Sequence, residues 1–283
     1  MTTDYSAKII CDSIAKDVRL TTFEVTFPRF VLAEFNTHRV FSRNSASSRA
    51  IPVLKQIQRV LEFPFIPRFK HNQKGMQPGE LFTDEEQAKA EAIWIRMRDF
   101  NAAGCKELAE LDVHKQWANR PLEWAMWHTA VVTATEFENF FALRNHPMAQ
   151  DEIRILAELM EPLYRKETPR EAGHRYLHLP YLTAEELDTL SDDRSEEAIV
   201  KDMLSISSAR CARVSYLTHD GRRDFDEDRR LHDDLLGNRH MSPFEHCATN
   251  DWSFVGHRGN FVAPWVQYRK TIPNEAIAPR AVR

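Results

Sequence analysis

Thirteen residues, Thr37 to Arg49, concentrate donors: Arg39, Arg43 and Arg49, His38, Asn44, and the hydroxyls of Ser42, Ser45, Ser47 and Ser48. Planar guanidinium forks and rotatable hydroxyls suit a phosphate-bearing ligand, with backbone N–H groups filling the gaps. A stretch like this also fits an ordinary solvated loop. The segment before it, Phe23 to Phe35, is apolar and aromatic. The donor run therefore leaves directly from a core element, which favours a built site.

Two other clusters carry chemistry. Phe140 to Arg154 contains Arg144 and Glu152, which as an amphipathic helix pair would form only a weak surface ion pair. His240-Met241-Ser242-Pro243-Phe244-Glu245-His246 offers two imidazoles and a carboxylate. Their spacing is not a helical His-x-x-x-His pair, and Pro243 prevents a regular helix, so no metal site is expected. The plain alternative is a proline turn with a buried His–Glu hydrogen bond. Cys11, Cys105, Cys211 and Cys247 are scattered without a CxxC pair or an adjacent base. A thiolate nucleophile is not expected, and a reducing, cytoplasmic compartment is.

The donor run resembles the motif of flavin-dependent thymidylate synthases, Arg-His-Arg-x-x-Ser-x-Asn-Glu-x-Ser-x-Arg. It matches at His38, Arg39, Ser42, Asn44, Ser47 and Arg49, and departs at Thr37 (Arg in the family) and Ser45 (Glu in the family). The Phe140–Ile153 stretch is similar to the family block Phe-Leu-x-Leu-Arg followed by Ala-Gln-x-Glu-Ile. The resemblance implies that Arg144 contacts the pyrimidine and stabilises the ionised ring. His240–His246 resembles the family's His-x-Ser/Thr-Pro-Phe-Glu-His, and Ala212-Arg213-Val214-Ser215-Tyr216 its Ala-Arg-Val-Ser-Tyr/Phe. In the family these last two blocks precede the donor run, whereas here they follow it, so a circular permutation is expected.

By the same resemblance, the flavin-contacting residues are Thr37, His38, Arg39, Ser45, Thr133, Thr135, Asn139, Ser215 and His240. Substrate contacts fall to Glu34 (Gln in the family), Ser47, Ser48, Arg49, Asn119 and Arg120. At the C-terminus, Glu275 could supply the carboxylate missing at Ser45, or belong to a plain amphipathic helix. The implied reaction moves a one-carbon unit from methylenetetrahydrofolate by way of FAD to C5 of a deoxypyrimidine monophosphate, dUMP to dTMP, with NADPH as reductant. Glu34 and Thr37 keep dUMP or dCMP hydroxymethylation open, and a flavin- or nucleotide-binding homologue without turnover is the alternative of another class. A homotetramer is implied.

The remaining composition bounds these readings. The chain has 283 residues, 42% hydrophobic and 28% charged, with net charge −4 and only eight glycines. That is ordinary for a globular protein and gives no help to nucleic-acid or anionic-membrane binding. No apolar run could span a bilayer, no signal-peptide pattern opens the chain, and no glycine-rich phosphate loop is present.

The elements expected to position the clusters make an α+β chain, a mixed or antiparallel sheet with several long helices. It reads as a single domain over 1–283, with a helical insertion around 83–111 allowed for. Strands are expected at Lys8–Cys11, Leu20–Thr26, Thr129–Thr133 and Ala248–Val255. Pro28 should open a helix to Phe35, and Thr83-x-x-Glu86 should cap a long one to Leu111. Further helices are expected at Ile51–Phe63, His114–Met126, Glu136–Leu143, Ala149–Tyr164, Ser195–Ala209, Phe225–Leu236 (closed by Gly237) and Val262–Lys270.

Overall fold

The computed structural model describes residues 4–172, 176–216 and 223–276, with only the backbone of Ser215 and Tyr216. β1 (Ser6–Ala15) and β2 (Val18–Pro28) form a hairpin. Its two turn residues, Lys16 and Asp17, adopt φ of 45° and 63°, the left-handed pair that matches strand twist. A 3-10 turn and the single-turn α1 (Leu32–Phe35) lead to β3 (Ser42–Ser45), then α2 (Val53–Glu62) and α3 (Asp84–Glu110) follow. The Thr83–Glu86 capping box forms as expected at the start of α3. Next come α4 (Lys115–Ala118), β4 (Trp127–Ala134), α5 (Glu138–Arg144), α6 (Asp151–Lys166), β5 (Arg170–Glu171) and β6 (Leu177–His178). The chain continues through α7 (Ala184–Leu190), α8 (Glu196–Tyr216), α9 (Phe225–Gly237), β7 (Ala248–Asn250), β8 (Trp265–Gln267) and α10 (Tyr268–Thr271).

The chain is α+β. The main sheet among the described residues runs β3-β4-β2-β1-β5, antiparallel except for β1–β5, and β6-β7-β8 form a second antiparallel sheet. Strand alternation gives the main sheet two unlike faces. Phe23, Val25 and Phe27 of β2, with Ala130 and Val132 of β4, pack on Phe140 and Phe141 of α5 and on Ile153, Leu156 and Met160 of α6. On the other face Cys11 pairs with Thr22, Thr22 with Thr133, Thr133 with Ser42, and Val131 with Asn44. Thr22, Thr133 and Ser42 there are fully buried. Polar side chains buried across a sheet need partners from whatever covers it.

Several expectations are corrected. Pro28 ends β2 opposite Trp127, and the expected helix to Phe35 follows it as a 3-10 turn at Arg29–Val31 and then α1. Ser42–Ser45 is a strand in a stretch that lacks apolar alternation; its pairing with β4 supplies the order. His114–Met126 is not one helix, since Pro121 leaves α4 followed by a 3-10 turn at Arg120–Ala125. Within Val262–Lys270, Trp265–Gln267 pairs with β7 as a strand and only Tyr268–Thr271 is helical. β7 stops at Asn250, short of Val255. The left-handed residue ending α9 is Arg239 (φ 59°) and not Gly237, with His240 N–H donating to Leu235 O at 2.9 Å.

Candidate functional site

Asn44, on the polar sheet face, ties the C-terminal part of the chain to the donor run. Its Nδ2 donates to Cys211 O of α8 at 2.8 Å, and its Oδ1 accepts from the Ser242 hydroxyl at 3.3 Å. Where these segments meet lies a cavity of about 410 Å³, with Ala50, Ala212, Leu235 and Pro243 as its apolar lining. The polar lining is Asn44, Ser45, Ser47, Arg49, His114, Gln116, His240 and Ser242. No carboxylate is among these described lining residues. A donor-rich wall of that size suits an anionic, nucleotide-sized ligand.

A second group forms around Arg144, the last residue of α5. Its Nε donates to His38 Nε2 at 2.9 Å and its Nη2 to Thr37 Oγ1 at 3.1 Å. His38 Nε2 is therefore an acceptor, so the ring is neutral with its proton on Nδ1. Burial, then Arg144 and Arg43, push the His38 pKa down to about 4 in agreement with that geometry. The ring stacks on Phe41 and meets Phe140 edge-on, while Arg43 Nη1 donates to His38 O at 3.3 Å. The Thr37 hydroxyl donates to Glu34 O at 2.6 Å. Glu34 is half-buried, and its Oε2 has no partner among the described residues.

A hydrogen-bonded chain crosses the polar sheet face. Ser13 Oγ lies 2.9 Å from His178 Nδ1, His178 Nε2 is 2.8 Å from Thr22 Oγ1, and Thr22 Oγ1 is 2.7 Å from Thr133 Oγ1. Thr133 Oγ1 is in turn 2.8 Å from His246 Nδ1. All five side chains are fully buried, and burial holds His178 and His246 neutral, each pushed down to about 3.

The family model for thymidylate synthase complementing protein matches residues 16–170, more than half of the chain. The chain belongs to this family, the flavin-dependent thymidylate synthases. The match spans the donor run and the Arg144 block; Ala212–Tyr216 and His240–His246 lie beyond it. Solved structures similar to the chain include the UMP/dUMP methylase PolB of Streptomyces cacaoi bound with 5-Br UMP. That structure is 16% identical, covering 58% of this chain and 89% of that one with a TM-score of 0.49. The same enzyme bound with 5-Br dUMP is 18% identical, covering 52% and 67% with a TM-score of 0.43. No curated protein sequence matches the chain.

Of the residues marked by resemblance to the flavin-dependent thymidylate synthases, Ser45, Ser47, Arg49 and His240 come together at the cavity, and Thr37, His38 and Arg144 form the second group. Arg39 and Asn139 are exposed, and the Thr135 hydroxyl accepts from Val262 N–H at 3.2 Å. The Ser215 side chain lies outside the described residues.

Others hold the frame. Thr133 is fully buried in the hydrogen-bonded chain, its hydroxyl shared with Thr22 and His246. Ser48 donates to Glu123 at 2.5 Å, and Arg120 pairs with the same carboxylate at 2.9 Å. Asn119 Nδ2 donates to Ser48 O at 2.7 Å and to Ile51 O at 2.9 Å, bracing the donor run from behind. None of these three lines the cavity. Glu275 pairs with Arg269 and Lys270, at 2.7 and 2.5 Å, and does not reach the cavity either. His114 and Gln116 line it without any sequence signal, whereas Ser242 sits in a block already marked.

Proposed function

We propose that this protein catalyses flavin-dependent C5 methylation of a deoxypyrimidine monophosphate, dUMP to dTMP. Methylenetetrahydrofolate is the carbon donor and NADPH the reductant. The observation that carries the reading is the donor-lined cavity at Ser45, Ser47 and Arg49 in a member of this family. Arg49 and Ser47 hold the substrate phosphate, and a cavity without a lining carboxylate avoids repelling it. Arg144 sets its guanidinium where negative charge develops on the pyrimidine, stabilising the transition state more than the ground state. Neutral His38 accepts from Arg144 and so aims it.

On the family resemblance, Thr37, His38, Arg39, Ser45, Thr135, Asn139 and His240 would hold FAD, and of these Ser45 and His240 line the cavity while Thr37 and His38 lie beside Arg144. When bound, the flavin supplies one-carbon and hydride transfer. Burial pushes the Cys11 thiol up to about 12 and Cys211 well above its ordinary range, which disfavours either as a thiolate nucleophile. C5 hydroxymethylation of dUMP or dCMP is the second reading. It is favoured by one observation, the unpartnered Glu34 Oε2 where the family has Gln.

The C-terminal blocks packed on Asn44 support the circular permutation and a single domain over 1–283. Ile93, Met97 and Phe100 form an outward apolar stripe at i, i+4 and i+7 on α3, with Phe100 80% exposed, which supports a homotetramer. Four free thiols support a cytoplasmic location. The test is Arg49→Ala assayed with dUMP and with deoxyuridine. A strongly raised apparent KM for dUMP alone is expected, since the change removes binding felt in ground and transition states alike. An unchanged KM, or equal turnover of nucleotide and nucleoside by the native enzyme, refutes the assignment.

A further inference from the structure

Two residues of the cavity lining, just before the Asn119 and Arg120 that the resemblance marks, carry no chemistry assigned by the sequence or the family motif. His114 and Gln116, at the start of α4, both line the cavity. The Gln116 backbone N–H donates to His114 Nδ1 at 3.3 Å. That bond makes Nδ1 an acceptor and leaves the ring proton on Nε2. Nε2 has no protein partner among the described residues. His114 is exposed, and Trp117, itself 61% exposed, meets the imidazole edge-on with centroids 6.2 Å apart.

The α4 segment is also fastened to the loop that carries Arg49. Lys115 Nζ donates to Ala50 O at 3.3 Å, and Asn119 Nδ2 donates to Ser48 O and Ile51 O at 2.7 and 2.9 Å. Three bonds to one short loop keep His114 and Arg49 on a common frame, so little ordering is left to occur on binding.

We propose that His114 is a phosphate-binding residue, its Nε2–H holding, together with Arg49, the phosphate of the pyrimidine monophosphate. The assignment rests on the function proposed above. It makes the nucleotide grip of this chain depend on a segment about seventy residues beyond the motif.

The test is calorimetric titration of the FAD-loaded protein with dUMP and, separately, with deoxyuridine, using native protein, His114→Ala and His114→Gln. Thermal melts establish that each variant is folded. Losing one hydrogen bond to a charged group should weaken dUMP binding about tenfold or more in His114→Ala. Deoxyuridine binding should be unchanged, and His114→Gln, which keeps an N–H donor, should recover part of the loss. Native-like dUMP affinity in His114→Ala, or equal weakening toward dUMP and deoxyuridine, overturns the assignment. If the native protein binds neither probe, the failure lies in the functional reading itself and the assignment falls with it.

Discussion

Replacing Thr133 by Val separates a framework role from a flavin contact. The substitution keeps shape and β-branching and removes one hydroxyl, so no cavity term enters. Thr22 retains His178 Nε2 as a partner at 2.8 Å. His246 loses its Nδ1 partner, and its Nε2 already has none among the described residues. An unpartnered polar group at full burial costs about 1–3 kcal/mol, and the lost Thr22–Thr133 bond about 0.5–1.5 kcal/mol. The sum is about 1.5–4.5 kcal/mol, or a fall in Tm of roughly 3–18 °C at about 2–4 °C per kcal/mol. Thr133→Ser, which keeps the hydroxyl, should lose much less. Differential scanning calorimetry reads the stability, and FAD titration below the transition reads the cofactor. A native Tm together with lost FAD affinity would refute the reasoning, because Thr133 would then touch the flavin.

Arg144→Ala should lower pyrimidine turnover on the order of a hundredfold while most flavin stays bound, checked by single-turnover kinetics and absorbance. Stability should fall on acidification. His178 and His246 titrate at about 3 in the fold against an ordinary 6.5, so the unfolded chain takes up protons first. Their contribution is complete above pH 6.5 and shrinks toward pH 3, by up to about 1.4 kcal/mol per pH unit for each ring, which urea midpoints across that range would show. Single replacement of Cys11, Cys105, Cys211 or Cys247 by Ala should leave turnover measurable in a steady-state assay, since none of them lines the cavity. Loss of turnover in a folded variant would reinstate a thiolate mechanism.

The motif spacing made Ser45, Ser47, Arg49 and His240 legible, because each had to recur at a fixed offset from its neighbours. Ser48 carries the same hydroxyl one position on. Only tertiary structure shows it directed to Glu123, 75 residues away. Thr133 reads correctly as part of a strand, but its surroundings are set by His246, 113 residues later, and by the polar sheet face that both help to close. Trp265–Gln267 fails for a local reason: a short apolar run fits either period, and the pairing with β7 decides it. His114 has no signature of its own. Its place at the cavity follows from bonds that the Lys115 and Asn119 side chains make to carbonyls of a loop distant in sequence.

Product analysis decides whether one-carbon transfer reaches C5 of a pyrimidine monophosphate. The purified protein, supplied with FAD, NADPH and methylenetetrahydrofolate, is offered dUMP, and the nucleotide pool is read by mass spectrometry. The expected product is dTMP, formed only when all components are present. Hydroxymethyl-dUMP would shift the reading to its alternative, and unchanged dUMP from folded, FAD-loaded protein would contradict it.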